Sequence, residues 1–167
     1  MKLEEVPLSK AGISCANCKT RNFCLSQNFN EYEIDRVNSI VQTRRTIKKG
    51  TKLIKTGMTF QSIYAIRTGY FKTSFKTESG ETQLLGFQMT GDSLGMDGIA
   101  THKHNFDVIA LEDSDICVLP INEIESLSRV SSVFQRHFLQ MLSKEIVRES
   151  HFMGVNFFLL QRIRDQF

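Results

Sequence analysis

Between Thr46 and Leu119 the chain is a succession of short β-prone segments, "IKKGTKLI", "SIYAIRTGYFKTSFKTESGETQLLGFQM", "GDSLGM" and "FDVIALEDSDICVLPI", punctuated by glycine at positions 50, 57, 69, 80, 86, 91, 95 and 98. Phe71, Thr73 and Phe75 keep the period of two that places alternate side chains on opposite faces of a strand. Turn signals recur about every ten residues, which leaves no room for the crossover helices of βαβ units and favours a sandwich or barrel. The expected fold is therefore mainly β with flanking helices: an antiparallel jelly-roll barrel within residues 30–130.

The flanks read as helices. Asn30 and Glu33 form a capping-box pair, and Ile34, Val37 and Val41 follow at helical spacing, as a helix of about three turns requires. Pro120 is expected to end the last strand, Asn122 to cap a short helix through Leu127, and Ser131 or Ser132 to cap a longer one from near Val133. Within that longer helix, residues 131–153, Leu139, Leu142, Ile146, Glu149 and Met153 fall at alternating steps of three and four, the spacing of a coiled-coil seam. A second stripe of Phe134, Phe138, Met141 and Glu145 runs beside it. Two stripes predict two partners, the barrel and a second subunit; both stripes facing one core is the open alternative.

A chain of 167 residues suits one domain, and 41% hydrophobic with 23% charged residues is a globular composition. No apolar run reaches the roughly 18 residues of a membrane span, and "MKLEEVPLSK" lacks the apolar core of a signal peptide. The cytoplasm is the expected compartment, with no membrane partner. The densest basic stretch, Arg44, Arg45, Lys48, Lys49, Lys52 and Lys55, is read as a solvated hairpin face rather than a nucleic-acid surface.

Against that background the cysteines stand out. Cys15, Cys18 and Cys24 form C-x2-C-x5-C within residues 1–29, and the remaining cysteine, Cys117, lies far downstream in "DSDICVLPI". Disulfides rarely persist in a reducing cytosol, so metal or redox chemistry is the better reading of the clustered thiols. Four-cysteine zinc sites usually present two compact C-x2-C pairs, whereas three ligands on one loop and one remote ligand favour an iron–sulfur cubane. Structural zinc stays open, and Cys117, between Ile116 and Val118, also reads as a core residue.

From about Cys15 to Met153 the chain resembles the sensory part of the fumarate-and-nitrate-reduction regulators, oxygen-sensing members of the cyclic-AMP-receptor-protein family. The resemblance rests on the loop cysteines, "IKKGTKLIKTGMTFQSIYAIRTGYFKTSF", "ESGETQLLGFQMTGDSLGMDGI" and "LEDSDICVLP". It implies that Cys15, Cys18, Cys24 and Cys117 bind a [4Fe–4S] cluster that O2 converts to a [2Fe–2S] form. It also implies that Ile146 and Glu149 face their own copies across a two-fold axis, where like charges repel and keep the homodimer marginal unless the cluster is intact. The loop Thr77 to Glu81 reads as a hairpin turn, and the resemblance gives Glu78, Gly80 and Glu81 a contact with RNA polymerase. DNA and RNA polymerase are the partners expected of a full-length relative.

Two departures qualify the resemblance. Nucleotide-binding relatives clamp the cyclic phosphate with an arginine, and "GDSLGMDGIATHKHNFDVIA" has none, so no cyclic nucleotide is expected. After Met153 the family continues into a winged helix-turn-helix; here "GVNFFLLQRIRDQF" follows, with Gly154 expected to interrupt the helix. Residues 154–167 are read as a divergent tail without a DNA-binding domain. The chain is thus expected to be a regulator's truncated sensory part, or a partner that modulates an intact regulator. His102 and His104 in "THKHN" are assigned to a surface loop. No nucleophile–His–acid set, Walker motif or radical-cluster signature is visible, so an enzyme is not expected.

Overall fold

The computed structural model describes residues 7–8, 15–19, 29–41 and 43–164. After the short strand β1 (Pro7–Leu8) come helix α1 (Glu31–Ile40) and strands β2 (Thr43–Ile47), β3 (Lys52–Ile54), β4 (Ser62–Thr68), β5 (Tyr70–Lys76), β6 (Thr82–Met89), β7 (Ser93–Leu94), β8 (Asp107–Ala110) and β9 (Ser114–Pro120). Helices α2 (Ile121–Val130) and α3 (Ser132–Arg164) complete the order. The strands make two antiparallel sheets, β1-β2-β9-β4-β7 and β3-β8-β5-β6, the jelly-roll expected from the glycine punctuation.

Strand β9 is buried on both faces, and its alternation divides the apolar interior in two. Ile116 faces the space between the sheets with Ile47, Tyr64, Ile66, Phe71 and Val108. Cys117 and Leu119 face the other way, into a cluster with Ile63 and Ala65 of β4 and with Ile34, Val37, Ile124, Leu127 and Phe134 of the three helices. A sheet covered on one side by its partner sheet and on the other by helices buries its central strand twice. That double burial is why "ICVLP" reads as a near-continuous apolar run.

The capping box of α1 is present: Asn30 accepts from the Glu33 backbone, and the Glu33 carboxylate accepts from the Asn30 backbone. Val41 falls at the C-cap rather than inside the helix. Asn122 does not cap α2, which starts at Ile121 directly after Pro120; the fixed φ of proline already suits a helix entry. Ser131 caps α3, its hydroxyl accepting from the Phe134 backbone. The expected interruption at Gly154 is also corrected, because α3 runs unbroken for 33 residues. One glycine costs about 1 kcal/mol relative to alanine, too little to break a long cooperative ladder.

Candidate cluster site and dimer helix

Cys15 and Cys117 lie together on the helix-covered face of the first sheet, with Cys18 three residues along the loop from Cys15. Cys15 begins a 3-10 turn, Cys15–Asn17, closed by the Cys18 backbone donating to the Cys15 carbonyl at 3.4 Å. The turn is tied to α1, since the Cys15 N–H donates to Asn38 Oδ1 at 3.2 Å. Cys117 is buried in β9, paired with Arg44 on β2 and with Ala65 on β4. Cys24 lies outside the described residues.

Burial pushes the Cys15 thiol up to about 11, the nearby Cys117 adds to the rise, and Arg44 opposes it. The Cys117 thiol is also raised by burial, with Arg44 and Arg67 opposing, and Arg44 hydrogen-bonds to it as well. Cys18 acts on both. The three thiols are therefore within electrostatic reach of one another. Among the described residues, however, no three ligating side chains converge on one point.

Arg44 corrects the expectation of a solvated basic face. Strand alternation turns it toward Cys117, and among the described residues its Nε, like that of Arg67, is buried without a hydrogen-bond partner. Hydrophobic periodicity could not find these arginines, because the buried face of β2 is decided by its register with β9. Orphaned cationic donors beside a group of thiols suit an anionic, all-thiolate group: sulfur accepts their N–H bonds, and the guanidinium charge offsets that of the thiolates. The donor set fits the cluster that the resemblance implies.

Helix α3 buries part of one stripe against the barrel and leaves part of the other exposed, while Leu142, Ile146 and Glu149 of the seam border one cavity with Glu145 of the second stripe. Phe134 is buried and stacks with Phe138 at 6.4 Å, and Met141 Sδ accepts from Ser93 Oγ at 3.6 Å. On the seam, Leu139 is 59% and Ile146 67% exposed, while Leu142 and Glu149 are half-buried. Met153 lies on the same helix. Arg148 ties the helix to the barrel, bonding Asp92 at 2.9 Å and Glu145, with Glu149 at 3.7 Å. Burial raises the Glu145 carboxyl and Arg148 opposes that rise.

A cavity of about 650 Å³ opens between the sheets and α3, lined by Gln88, Leu94, Asp97, Leu142, Ile146 and Glu149 among others. Its lining includes three carboxylates, Asp97, Glu145 and Glu149, and neither lysine nor arginine. Beside it His104 is 2% exposed, a correction to the surface-loop assignment. Its Nδ1 lies 3.1 Å from Asp97 Oδ1, and the Asn105 backbone donates to Asp97 Oδ2 at 2.6 Å. The polar setting of "THKHN" hid a residue that Asp97, distant in the turn, holds inside. The hairpin loop behaves as expected: Thr77 and Glu81 pair through the backbone, and Gly80 takes φ 87.

Among described residues no helix is long and apolar enough to cross a membrane. The sequence pattern of the cyclic nucleotide-binding domain matches residues 44–131. The chain is 34% identical over 134 residues to the fumarate and nitrate reduction regulatory protein of Escherichia coli, covering 80% of this chain and 54% of that protein. It is 32% identical over 141 residues to electron transport regulator A of Shewanella oneidensis, covering 84% and 56%. It thus spans a little over half the length of these curated relatives. The fold matches a cyclic nucleotide-binding domain from Methylobacillus flagellatus with TM-score 0.71 at 16% identity, covering 87% of this chain and 85% of that one. It also matches the Thermus thermophilus catabolite activator protein with TM-score 0.66 at 20% identity, covering 82% and 62%.

Proposed function

The chain belongs to the cyclic nucleotide-binding domain family, and from that premise we propose that it is the sensory part of an oxygen-responsive transcription regulator of the cytoplasm. In this reading Cys15, Cys18, Cys24 and Cys117 hold a [4Fe–4S] cluster whose presence controls dimerisation along α3. The observation that carries it is the packing of Cys15 against the side-chain cluster that holds Cys117 on the helix-covered face, beside two arginines whose Nε atoms are buried. Relatives at 32% and 34% identity named as an electron transport regulator and as fumarate and nitrate reduction regulators support the same reading.

Bound there, the cluster supplies a redox centre that oxygen degrades. The chain's own residues do the rest. Cys117 is fixed in a central strand, Cys15 is fixed to α1 through Asn38, and both sit against the cluster of side chains that includes Phe29 and Phe134. Joining the two thiols through one bound group braces α1 against β9. Phe134 is the first buried residue of α3, so the brace reaches the dimer helix at its docked end. The proposed sensor does not use cyclic nucleotide, a reading drawn from the arginine-free stretch "GDSLGMDGIATHKHNFDVIA". Contact of Glu78, Gly80 and Glu81 with RNA polymerase, and DNA binding, belong to the longer protein that the relatives exemplify.

The test is anaerobic purification, with iron, acid-labile sulfide, visible absorption and sedimentation measured before and after air. A coloured dimer that bleaches and dissociates is expected; a colourless protein with stoichiometric zinc overturns the reading. Glu149→Ala removes the like charge from the seam and should leave dimers in air. An aerobic monomer of that variant would exclude the proposed role of Glu149.

A further inference from the structure

Resting on that reading, we propose that Arg44 and Arg67 are positioning residues for the cluster, balancing its negative charge and donating hydrogen bonds to its sulfur atoms. Arg44 is the cross-strand partner of Cys117 in β2, and Arg67 follows Ala65, the partner of Cys117 in β4, by two residues. The strand that bears the remote thiol is thus flanked by a guanidinium on either side.

Both side chains are only partly exposed, and among the described residues the Nε of each is buried with no acceptor. A buried donor without a partner costs free energy, and in a native fold it calls for an explanation such as a redox role or a bound group. Among the described residues neither arginine has a carboxylate partner. Arg148 makes the contrast, with three carboxylates in reach. What Arg44 and Arg67 share instead is the field they exert on Cys15 and Cys117. Four thiolates around an iron–sulfur core leave a net negative charge, and charge and hydrogen bonding at the sulfurs set the potential of such a centre. Two fixed cations at the thiol site favour the reduced, more negative form.

The experiment compares the full chain with Arg44→Met, Arg67→Met and the double variant, each reconstituted anaerobically with iron and sulfide and also studied in the metal-free form. In the loaded form the double variant should have a lower reduction potential by about 59 mV or more, a tenfold change in a one-electron equilibrium constant. It should also release iron faster to a chelator in air. In the metal-free form the same substitutions should leave the melting temperature unchanged or raise it, because they remove orphaned buried donors. Arg44→Lys keeps charge but loses the planar fork, and should fall between wild type and Arg44→Met in potential. Variants that load with the wild-type potential overturn the inference and leave the cluster reading standing. Equal loss of stability in both forms overturns it as well, by assigning the arginines a structural role. A wild-type chain that takes up no iron or sulfide overturns both.

Discussion

The two apolar clusters lie back to back on the first sheet and are closed in different ways. The inner one, around Ile54, Ile66, Phe71 and Ile116, is made by strands alone and is sealed by the second sheet. The outer one, around Ile63, Leu119, Ile124 and Phe134, is sealed by three helices that contribute its other half. Backbone ladders hold each sheet internally, and apolar contact between their inner faces holds one sheet against the other. The helix layer depends on side-chain packing and a few tethers, such as Asn38 to Cys15 and Arg148 to Asp92. Both described ends of the proposed cluster site border the outer cluster, the half that can shift without opening the barrel.

The sharpest way to break this contrast is Phe134→Ala, which removes a 2% exposed ring. The cost should be about 3–5 kcal/mol, with hydrogen-exchange protection lost in α1, α2 and the start of α3 and kept in β5 and β8. Protection falling evenly across both layers would show that the clusters are one cooperative unit. Ile116→Ala, at a fully buried inner position, should cost about 2–5 kcal/mol and lower protection in both layers, because the helices have nothing to sit on once the sandwich opens. Asn30→Ala should cost about 1 kcal/mol, read as faster exchange confined to the first turn of α1, with the Cys15 amide, bonded to Asn38 near the other end, unaffected.

The smallest effect concerns pH. Burial works against the Asp107 carboxylate, yet bonds from Lys52 and Thr56 outweigh it and hold its pKa below the ordinary value. A lowered folded pKa contributes stability above the unfolded value, near 4, that is lost as pH falls through the folded value. Asp107→Asn should therefore flatten the acid side of a stability profile measured in denaturant, leaving neutral pH less stable than wild type. Since Asp107 is on β8, the flattening should appear in probes of the second sheet.

The parts legible in the sequence are those set by local pattern. Glycine spacing and alternation gave away the jelly roll, and the Asn30–Glu33 pair marked the start of α1. The pairing of the loop thiols with Cys117 was suggested by chemistry and resemblance, and the fold brings Cys15, Cys18 and Cys117 within electrostatic reach. What stayed hidden depends on contacts between distant segments. Arg44 follows a pattern that a solvated strand would also show, and its inward face is decided by the pairing of β2 with β9. His104 sits in a polar pentapeptide, and its burial requires Asp97 and the edge of Phe60. Gly154 is locally unfavourable, but the helix on either side outweighs it.

The uninterrupted course of α3 has a mechanical consequence. Thirty-three residues at about 1.5 Å each make a rod roughly 50 Å long, pinned to the barrel at Phe134 and again where Arg148 meets Asp92. A rod held at two points has a fixed tilt, and because about as much helix lies beyond the second pin as between the two, a small shift at the first pin moves the far tip by a similar distance in the opposite direction. The portion past Arg148 is then a pointer whose direction is set by the packing around Phe134, which carries a displacement from one end of the barrel to the far end of the helix with little loss.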